Sequence, residues 1–254
     1  MKIGIAGYGR MGRLIHKKAL EKGYRVPVII DPHSSDPQVT GTGLEIPFAD
    51  LDVIIDFTNP EVVLDNIKSY ANLKIPAVIG TTGWYAEMYK VKTLVEESGT
   101  ALIWSGNFSL GVNLFFQLVQ TAGKLMNRFS EYDPMVHEYH HRHKADSPSG
   151  TAEMIGQILL QEITRKRSLR TSLDGFSLEE DELQISSSRG GSIPGTHRVI
   201  FDSEIDTISL EHCARNRNGF AEGALFAAEW IVPRRGFYHI DDLMQSIIGG
   251  VEDR

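Results

Sequence analysis

Cysteine is almost absent from this chain: Cys213 is the single thiol among 254 residues. One thiol excludes an internal disulfide framework, and with it the small secreted folds that depend on one. The chain also lacks a long apolar run, and no cleavable leader precedes the first predicted strand. We therefore expect a cytoplasmic protein, or a processed organellar one, without a membrane segment.

The chain has fewer basic than acidic residues. The chain carries 26 Lys and Arg against 33 Asp and Glu, which gives a formal net charge of −7. Because the phosphate backbone attracts basic surfaces, an acidic chain argues against nucleic acid as the partner. Hydrophobic residues form 41% of the sequence. At this length that fraction is enough for a sizeable core and two linked domains.

A glycine-rich turn near the start is the first positive signal. An apolar run leads directly into Gly7-Tyr8-Gly9-Arg10-Met11-Gly12, and apolar residues at helical spacing follow it. In such a turn the first glycine makes a tight bend, the second lets the backbone approach a pyrophosphate, and the third packs helix against strand. The order of strand, glycines and helix predicts a dinucleotide-binding turn. The alternative is a glycine-rich turn without a ligand.

Asp31 bears on the choice of cofactor. It ends the second apolar run, 19 residues after Gly12, near the distance expected of the acid that accepts a hydrogen bond from the ribose 2′-hydroxyl of NAD. Pro32 follows it, so no arginine stands directly behind Asp31 to receive the 2′-phosphate of NADP. The pattern favours NADH over NADPH, and Arg10 or Arg13 leaves dual use open.

Further apolar runs at 51–57, 75–79 and 100–104 alternate with helical segments. This alternation predicts an α/β fold with a Rossmann-type, doubly wound parallel sheet. Ligands of such sheets lie beyond the carboxyl ends of the strands, where a polar turn follows each run. Cofactor contacts are therefore expected from Phe57, Thr58, Gly80, Thr81, Thr82, Asn107, Phe108 and Ser109.

Beyond residue 108 the pattern changes. Helices and strands are predicted there in an order typical of a second α+β domain with an open, mostly antiparallel sheet and helices on one face. A long helix at 220–232 and a short one at 241–248 are expected to pack back on the first domain. We therefore predict a discontinuous dinucleotide-binding domain, 1–107 and 218–254, and a substrate-binding and oligomerisation domain, 108–217. The elements predicted in the second domain are helix 112–126, strand 135–141, a helix that presents Ile155, Ile158, Leu159 and Ile163, and strands 183–188, 197–201 and 205–211.

The segment from Glu138 to Thr151 is the most informative of the chain. Three histidines, an arginine and a lysine fall within residues 140–144, and a Pro-Ser-Gly-Thr turn and an amphipathic helix follow. Histidine supplies a proton near neutral pH. Lysine and the free N–H groups at a helix start favour an anion. The segment predicts a proton donor beside a cradle for carboxylates, and a small, multiply charged acid is the expected ligand.

Two other kinds of site fit this cluster of histidines and basic residues. It is also typical of a solvated basic loop or of a contact with a phosphate backbone. A zinc site built from His137, His140, His141 and His143 is a weaker alternative, because Cys213 is remote and zinc ligands usually come from two elements. No metal is expected.

Several motifs together resemble 4-hydroxy-tetrahydrodipicolinate reductase, also called dihydrodipicolinate reductase. They are Glu138-x-His140-His141-x-x-Lys144-x-Asp146-x-Pro148-Ser149-Gly150-Thr151-Ala152, the Gly-Arg-Met-Gly of the glycine turn, Asp56-Phe57-Thr58, Gly80-Thr81-Thr82-Gly83, Asn107-Phe108-Ser109-x-Gly111-Val112-Asn113 and Arg217-x-x-Phe220-Ala221. The resemblance covers nearly the whole chain. It implies an NAD(P)H-dependent oxidoreductase of diaminopimelate and lysine biosynthesis, and a homotetramer assembled through the second domain.

The resemblance also implies residue roles. His140 corresponds to the general acid that protonates the substrate as hydride arrives, and Lys144 belongs with it in the catalytic set. His141 and Lys144 would hold a substrate carboxylate, together with the Ser149, Gly150 and Thr151 helix start. Arg217 is carried over as a carboxylate or structural partner.

Two alternative functions fit the same dinucleotide turn. One is another nicotinamide-dependent dehydrogenase acting on a small amino acid or semialdehyde, which would not need the His-His-x-x-Lys and Ser-Gly-Thr pairing. The other is a non-catalytic dinucleotide sensor, which would bind NADH without turnover. Inhibition by a planar dicarboxylate separates the first alternative from the reductase.

Overall fold

A computed structural model describes residues 1–41, 50–173, 175 and 177–249 of the chain. The chain divides into two compact units. Unit 1 contains Met1–Leu110 and Asn218–Arg254, and unit 2 contains Gly111–Arg217. None of the helices among the described residues is long and apolar enough to span a membrane.

Unit 1 is built on a six-stranded sheet in which every pairing is parallel. Its strands are β1 (Lys2–Ala6), β2 (Arg25–Ile30), β3 (Val53–Asp56), β4 (Ala77–Ile79), β5 (Ala101–Trp104) and β11 (Gly236–His239). Their order is β11-β5-β4-β3-β1-β2. The strand order reverses beside β1, and in an open parallel sheet such a reversal leaves a crevice at the carboxyl ends of the strands.

Helices cover both faces of this sheet, which is why its strands are apolar throughout. Ile55 packs with helices α1, α6 and α7, whereas its neighbour Ile54 packs with α2 and α3 on the opposite face. Both side chains are fully buried. The helices of unit 1 are α1 (Arg10–Glu21), α2 (Val63–Asn72), α3 (Met88–Ser98), α6 (Asn218–Ile231) and α7 (Ile240–Gly249).

Unit 2 packs two helices on one face of a five-stranded sheet. Val136 and Phe201 from the sheet, Phe115 from the first helix and Ile155 from the second lie in one buried cluster. The strand order is β10-β9-β6-β8-β7. In chain order the elements are α4 (Leu110–Met126), β6 (Asp133–His140), α5 (Gly150–Glu162), β7 (Ser168–Arg170), β8 (Glu182–Arg189), β9 (Thr196–Asp202) and β10 (Thr207–Cys213).

The two-domain α/β fold class is confirmed, with one correction to the second sheet. That sheet is mixed rather than mostly antiparallel: β9 is antiparallel to β6 and β10, whereas β8 is parallel to β6 and β7. Strands covered on one face alternate in the same way whatever their direction, so periodicity does not distinguish the two pairings. The connection through α5 supplies the crossover that parallel strands need.

Two strands were not predicted from the sequence. The short β7 lies in the polar, charged stretch 165–183, and β11 precedes the last helix. Three and four residues are too few to show a period. Each is fixed by its partner instead: β7 pairs with β8, and β11 pairs with β5.

Candidate active site

The alternation of β6 sorts the predicted histidines onto two faces. Glu138 and His140 lie on the buried face, whereas His137 and Tyr139 are half-buried on the other. His137 contacts the Ser186 hydroxyl through Nδ1 and lies 3.4 Å from Ser188 Oγ through Nε2. Because alternate strand residues face opposite ways, His137 and His140 cannot share one metal ion. The zinc set considered from the sequence is therefore not assembled.

Glu138 is a fully buried carboxylate held by three donors. Its Oε1 accepts hydrogen bonds from Ser149 N at 2.9 Å, Ser187 Oγ at 2.8 Å and Arg189 Nη2 at 2.8 Å. Burial acts to raise the pKa of Glu138, but the hydrogen bonds from Ser149, Arg189 and Ser187 outweigh it and lower that pKa to about 2. Glu138 is therefore ionised at neutral pH.

His140 ends β6 beside this carboxylate and is 6% exposed. Its Nδ1 lies 3.0 Å from Glu138 Oε2. Burial lowers the pKa of His140 below the usual value, as do Lys144 and Arg189, while Glu138 and Asp146 act in the opposite direction. An imidazole with these opposing neighbours is suited to exchange a proton near neutral pH.

His197 is a third member of the cluster, and the sequence analysis did not identify it. It lies on β9, is 5% exposed, and packs edge-on to the His140 ring with centroids 5.2 Å apart. Its Nε2 is 3.2 Å from Ser149 Oγ and 3.7 Å from Glu138 Oε2. Burial, followed by repulsion from His140, lowers the pKa of His197 to about 4, so this imidazole is neutral at pH 7.

Glu138, His140 and His197 bring one oxygen and two ring nitrogens within 4.8 Å of one another. We call these three residues the Glu–His–His cluster. A signal for His197 was available, since it occupies a buried position in an alternating strand where an apolar residue is the rule. Its link to Glu138 spans 59 residues of chain and appears only when β9 pairs with β6.

The loop after β6 carries the predicted substrate-binding cations. Lys144 Nζ lies 2.7 Å and 2.9 Å from the two carboxylate oxygens of Asp146. Arg189 Nη2 donates to the Asp146 carbonyl at 2.6 Å and so ties the loop to β8. The His141 N–H donates to the Ile193 carbonyl at 2.8 Å. The cations predicted to hold a carboxylate are thus positioned by backbone bonds and one ion pair.

The start of α5 joins this loop to the cluster. Ser149 is the N-cap, and its Oγ accepts from Ala152 N at 3.2 Å while its own N–H donates to Glu138. Gly150 and Thr151 form the first turn, where N–H groups have no partner within the helix and the helix dipole favours an anion. Ser149, Gly150 and Thr151 therefore open a helix as the sequence predicted, and their contact with a carboxylate stays a prediction.

Arg217 is not part of this arrangement. It is exposed between β10 and α6, at the last residue of unit 2. Its proposed contact with a carboxylate stays a prediction.

In unit 1 the glycine turn has the geometry that the sequence predicted. Gly7 has φ +85°, and a Cβ there would lie 2.4 Å from the Phe57 carbonyl. A Cβ on Gly12 would lie 2.0 Å from the Gly7 carbonyl, whereas one on Gly9 would meet nothing within 4 Å. The first and third glycines are therefore required by packing, and the second leaves open space over the turn.

Asp31 lies beside this turn and braces it. One carboxylate oxygen accepts from Tyr8 N at 2.7 Å and the other from His33 N at 2.8 Å. The Tyr8 side chain is buried with its hydroxyl 2.7 Å from His16 Nδ1, so its ring belongs to the core. An open depression of about 440 Å³ lies next to Asp31 and is lined by Tyr8, Gly9, Arg10, Arg13, Asp31, His33, Ser34 and Ser35.

The other predicted cofactor residues lie at the carboxyl ends of β3, β4 and β5. Gly80 packs against the Phe57 ring, where a Cβ would come within 2.3 Å of ring carbons. Phe108 is buried in the core, and Ser109 N donates to Asn107 Oδ1 at 2.9 Å. These contacts order the turns, so their backbone can present fixed groups at the crevice.

A buried carboxylate that the sequence analysis gave no role organises two of these turns. Asp56 is fully buried, and its Oδ1 accepts from Thr58 N, Thr58 Oγ1 and Thr81 Oγ1 at 2.6–3.0 Å. Its Oδ2 accepts from Asn66 Nδ2 and Tyr70 OH, each at 2.9 Å. Burial and the Asp56 charge raise the pKa of Tyr70 well above its usual range, so the phenol remains a donor.

We expect Asp56→Asn to lower the free energy of unfolding by about 2–4 kcal/mol, because the amide presents two hydrogens to donors that need acceptors. Urea denaturation followed by circular dichroism measures the change. Asp65→Asn on the exposed side of α2 is the matched control and should leave the midpoint unchanged. Equal midpoints for the two variants would contradict a structural role for the Asp56 network.

The buried His197 makes stability depend on pH. A histidine with a folded pKa of about 4 resists protonation, whereas the unfolded chain takes up that proton near 6.5. Protonation therefore favours unfolding, and stability falls as pH drops from about 6.5 to about 4. The residue accounts for about 3 kcal/mol of that fall.

His197→Gln should remove this part of the pH dependence. The free energy of unfolding, measured at several values between pH 6.5 and pH 4, should fall less steeply in the variant than in the unmodified chain. The other histidines are common to both proteins, so the difference isolates His197. Parallel curves would show that His197 is not held neutral.

The fold and the cluster together define a class. A parallel sheet with a glycine turn and an acid at the end of its second strand is typical of dinucleotide-binding oxidoreductases. Here it is joined in the chain to an α+β unit that carries the buried Glu–His–His cluster. The chain belongs to the dihydrodipicolinate reductase family: the family model of the N-terminus matches residues 1–108, and that of the C-terminus matches residues 111–244. The resemblance seen in the sequence is confirmed.

Two curated relatives match over nearly their full length. The chain is 34% identical to the 4-hydroxy-tetrahydrodipicolinate reductase of Christiangramia forsetii, over 97% of this chain and 99% of the relative. It is 37% identical to the enzyme of the same name from Archaeoglobus fulgidus, over 96% and 100%.

A solved structure supports the fold. The dipicolinate-bound dihydrodipicolinate reductase of Paenisporosarcina sp. TG-14 superposes with a TM-score of 0.80, covering 95% of this chain and 98% of that one, at 22% identity.

Proposed function

We propose that this chain is a 4-hydroxy-tetrahydrodipicolinate reductase, an oxidoreductase that uses NAD(P)H to form tetrahydrodipicolinate in diaminopimelate and lysine biosynthesis. The observation that carries the proposal is the buried Glu–His–His cluster next to Lys144 and the start of α5, in a chain of this family. A proton donor and a carboxylate cradle are the two things that such a reduction requires of the protein.

The geometry supports the proposed residue roles. His140 donates the proton, because a buried carboxylate lies 3.0 Å from its Nδ1 and burial lowers its pKa, which makes the imidazolium a stronger acid. Lys144, His141 and the N–H groups of Gly150 and Thr151 hold a substrate carboxylate by charge and hydrogen bonds. When bound, NAD(P)H supplies the hydride. Dipicolinate bound to the Paenisporosarcina protein is a planar dicarboxylate, which is the ligand class this cradle suits.

The proposed domain roles divide along the chain. Residues 1–107 and 218–254 bind the dinucleotide, and residues 108–217 bind the substrate and form the oligomer. The glycine turn, Asp31 and the ordered turns after β3, β4 and β5 support the first assignment. Residues 250–254 lie outside the described residues.

NADH is the favoured cofactor in this proposal. Asp31 lines the depression beside the glycine turn, where a carboxylate accepts from a ribose hydroxyl and repels a 2′-phosphate. Arg13 pairs with Asp36, which neutralises one of the two nearby cations. Arg10 lines the same depression and accounts for residual use of NADPH.

A homotetramer is the proposed assembly. The proposed location is the cytoplasm, a reducing compartment that a chain with a single cysteine suits. The sheet of unit 2 carries its helices on one face, and half-buried side chains such as Met135, Tyr139 and Ile200 lie on the other. A partly apolar sheet face of this kind suits contact with further copies. Light scattering on the purified protein should give four times the mass of one chain.

The test of function is the oxidation of the cofactor. Substrate is generated from pyruvate and aspartate semialdehyde by the preceding synthase, NADH and NADPH are compared side by side, and pyridine-2,6-dicarboxylate is added as inhibitor. Rapid oxidation that the dicarboxylate inhibits, with the higher kcat/KM for NADH, is expected. NADH binding without oxidation would overturn the proposal and favour a sensor.

Lys144→Ala should raise the KM for the substrate by about tenfold or more, because one charge-assisted bond to a carboxylate is lost. The KM for NADH should not change, and the KM ratio from initial rates measures the effect. Lys124→Ala, on an exposed lysine of α4, is the control. An unchanged substrate KM in the Lys144 variant would remove this residue from the cradle.

A further inference from the structure

The two carboxylate oxygens of Glu138 differ in their hydrogen bonding. Three donors satisfy Oε1, whereas Oε2 is buried and has no aligned hydrogen-bond partner among the described residues. The same is true of His140 Nδ1, which lies 3.0 Å away. A buried charge without a donor is costly, so each atom supplies what the other lacks.

The other nitrogen of His140 is on the open side of the ring. His140 Nε2 lies beside Gly195, where an added Cβ would come within 2.9 Å of it. Gly195 has φ +153°, a conformation that side-chain-bearing residues rarely adopt. The glycine therefore keeps space for about one methyl group next to Nε2, while Nδ1 lies 3.0 Å from the carboxylate.

His197 does not compete for this carboxylate as a cation. Its Nε2 is 3.7 Å from Glu138 Oε2 and 3.2 Å from Ser149 Oγ, and the ring is neutral at pH 7. Glu138 already pairs with Arg189 through Oε1, and of the two imidazoles His140 lies nearer to Oε2, at 3.0 Å against 3.7 Å. His140 is therefore the histidine that Oε2 serves.

We propose that Glu138 is the positioning residue of the proton donor: it holds the Nδ1–H of His140, and Nε2 is the nitrogen that gives up the proton. This inference rests on the proposed function. In the step, the Nε2–H bond of the imidazolium breaks and its electron pair stays on Nε2, while the proton goes to the substrate atom made basic by hydride arrival. Neutral His140 keeps its Nδ1–H toward Glu138, which remains ionised, and solvent returns the proton to Nε2.

The charged groups around His140 define what a pH profile would report. Glu138 faces it from the same strand, Lys144 and Asp146 from the following loop, Arg189 from β8 and His197 from β9. His212 of β10 acts on His197. Among these, only Glu138 lies at contact distance from Nδ1 with an opposite charge, so its removal should move the His140 titration downward.

The tautomer of His140 in the unmodified protein is the first test, and it does not depend on folding of a variant. Nitrogen-15 NMR of histidine-labelled protein at pH 8, with His140→Gln to assign the signal, reports which ring nitrogen carries the hydrogen. We expect the neutral ring to be protonated on Nδ1. A ring protonated on Nε2 alone would overturn the proposal.

Kinetics of Glu138→Gln form the second test. We expect kcat to fall by about 10²-fold, and the limb in which kcat declines with rising pH to move down by about one unit or more. Glu138→Asp keeps the charge and should restore part of both. Glu131→Gln, an exposed site, is the matched control. A lower kcat with an unmoved limb would mean that Glu138 is merely structural.

The two tests separate this inference from the proposed function. If the protein does not oxidise NADH with this substrate, the function fails, but the tautomer and the titration of His140 in free protein still decide the role of Glu138. If oxidation proceeds and His140 titrates identically in the unmodified protein and Glu138→Gln, the inference fails alone.

Discussion

His140→Gln is expected to lower kcat by about 10²–10⁴-fold, the range that a positioned general acid contributes. Glutamine fills a similar volume but cannot supply a proton at neutral pH. The dissociation constant of NADH should stay within about twofold, since the glycine turn and Asp31 that are proposed to hold the dinucleotide belong to unit 1. Stopped-flow turnover and NADH fluorescence titration measure the two quantities.

The control for this variant is His143→Gln. His143 lies three residues further on and is exposed, while His140 is 6% exposed and adjoins Glu138. Turnover of the control should be close to that of the unmodified protein. In addition, the high-pH limb of kcat should disappear in His140→Gln and persist in the control. Equal loss of activity in the two variants would mean that catalysis depends on the total charge of the segment and not on one proton donor.

Gly12→Ala is expected to destabilise the protein by about 3 kcal/mol or more. The added Cβ would lie 2.0 Å from the Gly7 carbonyl, which is a backbone group and cannot rotate away as the tip of a side chain can. Overpacking typically costs about 1–3 kcal/mol where side chains can yield. Thermal unfolding and urea denaturation measure the loss, and NADH affinity should fall with it because the same turn is deformed.

Gly9→Ala is the matched comparison, since a Cβ there meets nothing within 4 Å. The fold should remain stable, with a melting temperature near that of the unmodified chain. The dissociation constant of NADH should nevertheless rise by about tenfold or more, because the methyl group occupies the space through which the pyrophosphate approaches. A Gly9 variant with normal affinity would show that the dinucleotide does not cross this turn.

The local patterns of the chain determined much of the first unit. The apolar runs that became β1 to β5 are continuous because helices cover both sheet faces, and that covering is visible in the sequence as the absence of polar alternation. The glycine turn could be found in the sequence because its three glycines stand at fixed spacing within one short motif, and a Cβ on Gly12 would meet the Gly7 carbonyl of the same motif. A pattern formed by residues that are close along the chain can be detected from the sequence alone.

The proposed proton donor could also be found from the sequence, but its partners could not. Crowding of imidazole, guanidinium and ammonium groups at residues 140–144 indicates a titrating, basic site whatever the fold. Four histidines within seven residues suggest one common site, but alternate residues of a strand face opposite sides of the sheet. The alternation of β6 turns His137 to the Ser186 side and leaves His140 with Glu138.

What the sequence alone determined about this protein is therefore its class of fold, its family and the identity of its proposed acid, since each depends on spacing within one element or on a continuous motif. Only the tertiary structure decided that β7 and β8 run parallel to β6, and that β11 completes the first sheet. It also decided that Arg189 and His197 reach Glu138 across 51 and 59 residues of chain. Strand pairing brings those side chains together. Which distant segments pair cannot be determined from the hydrophobic periodicity within each segment.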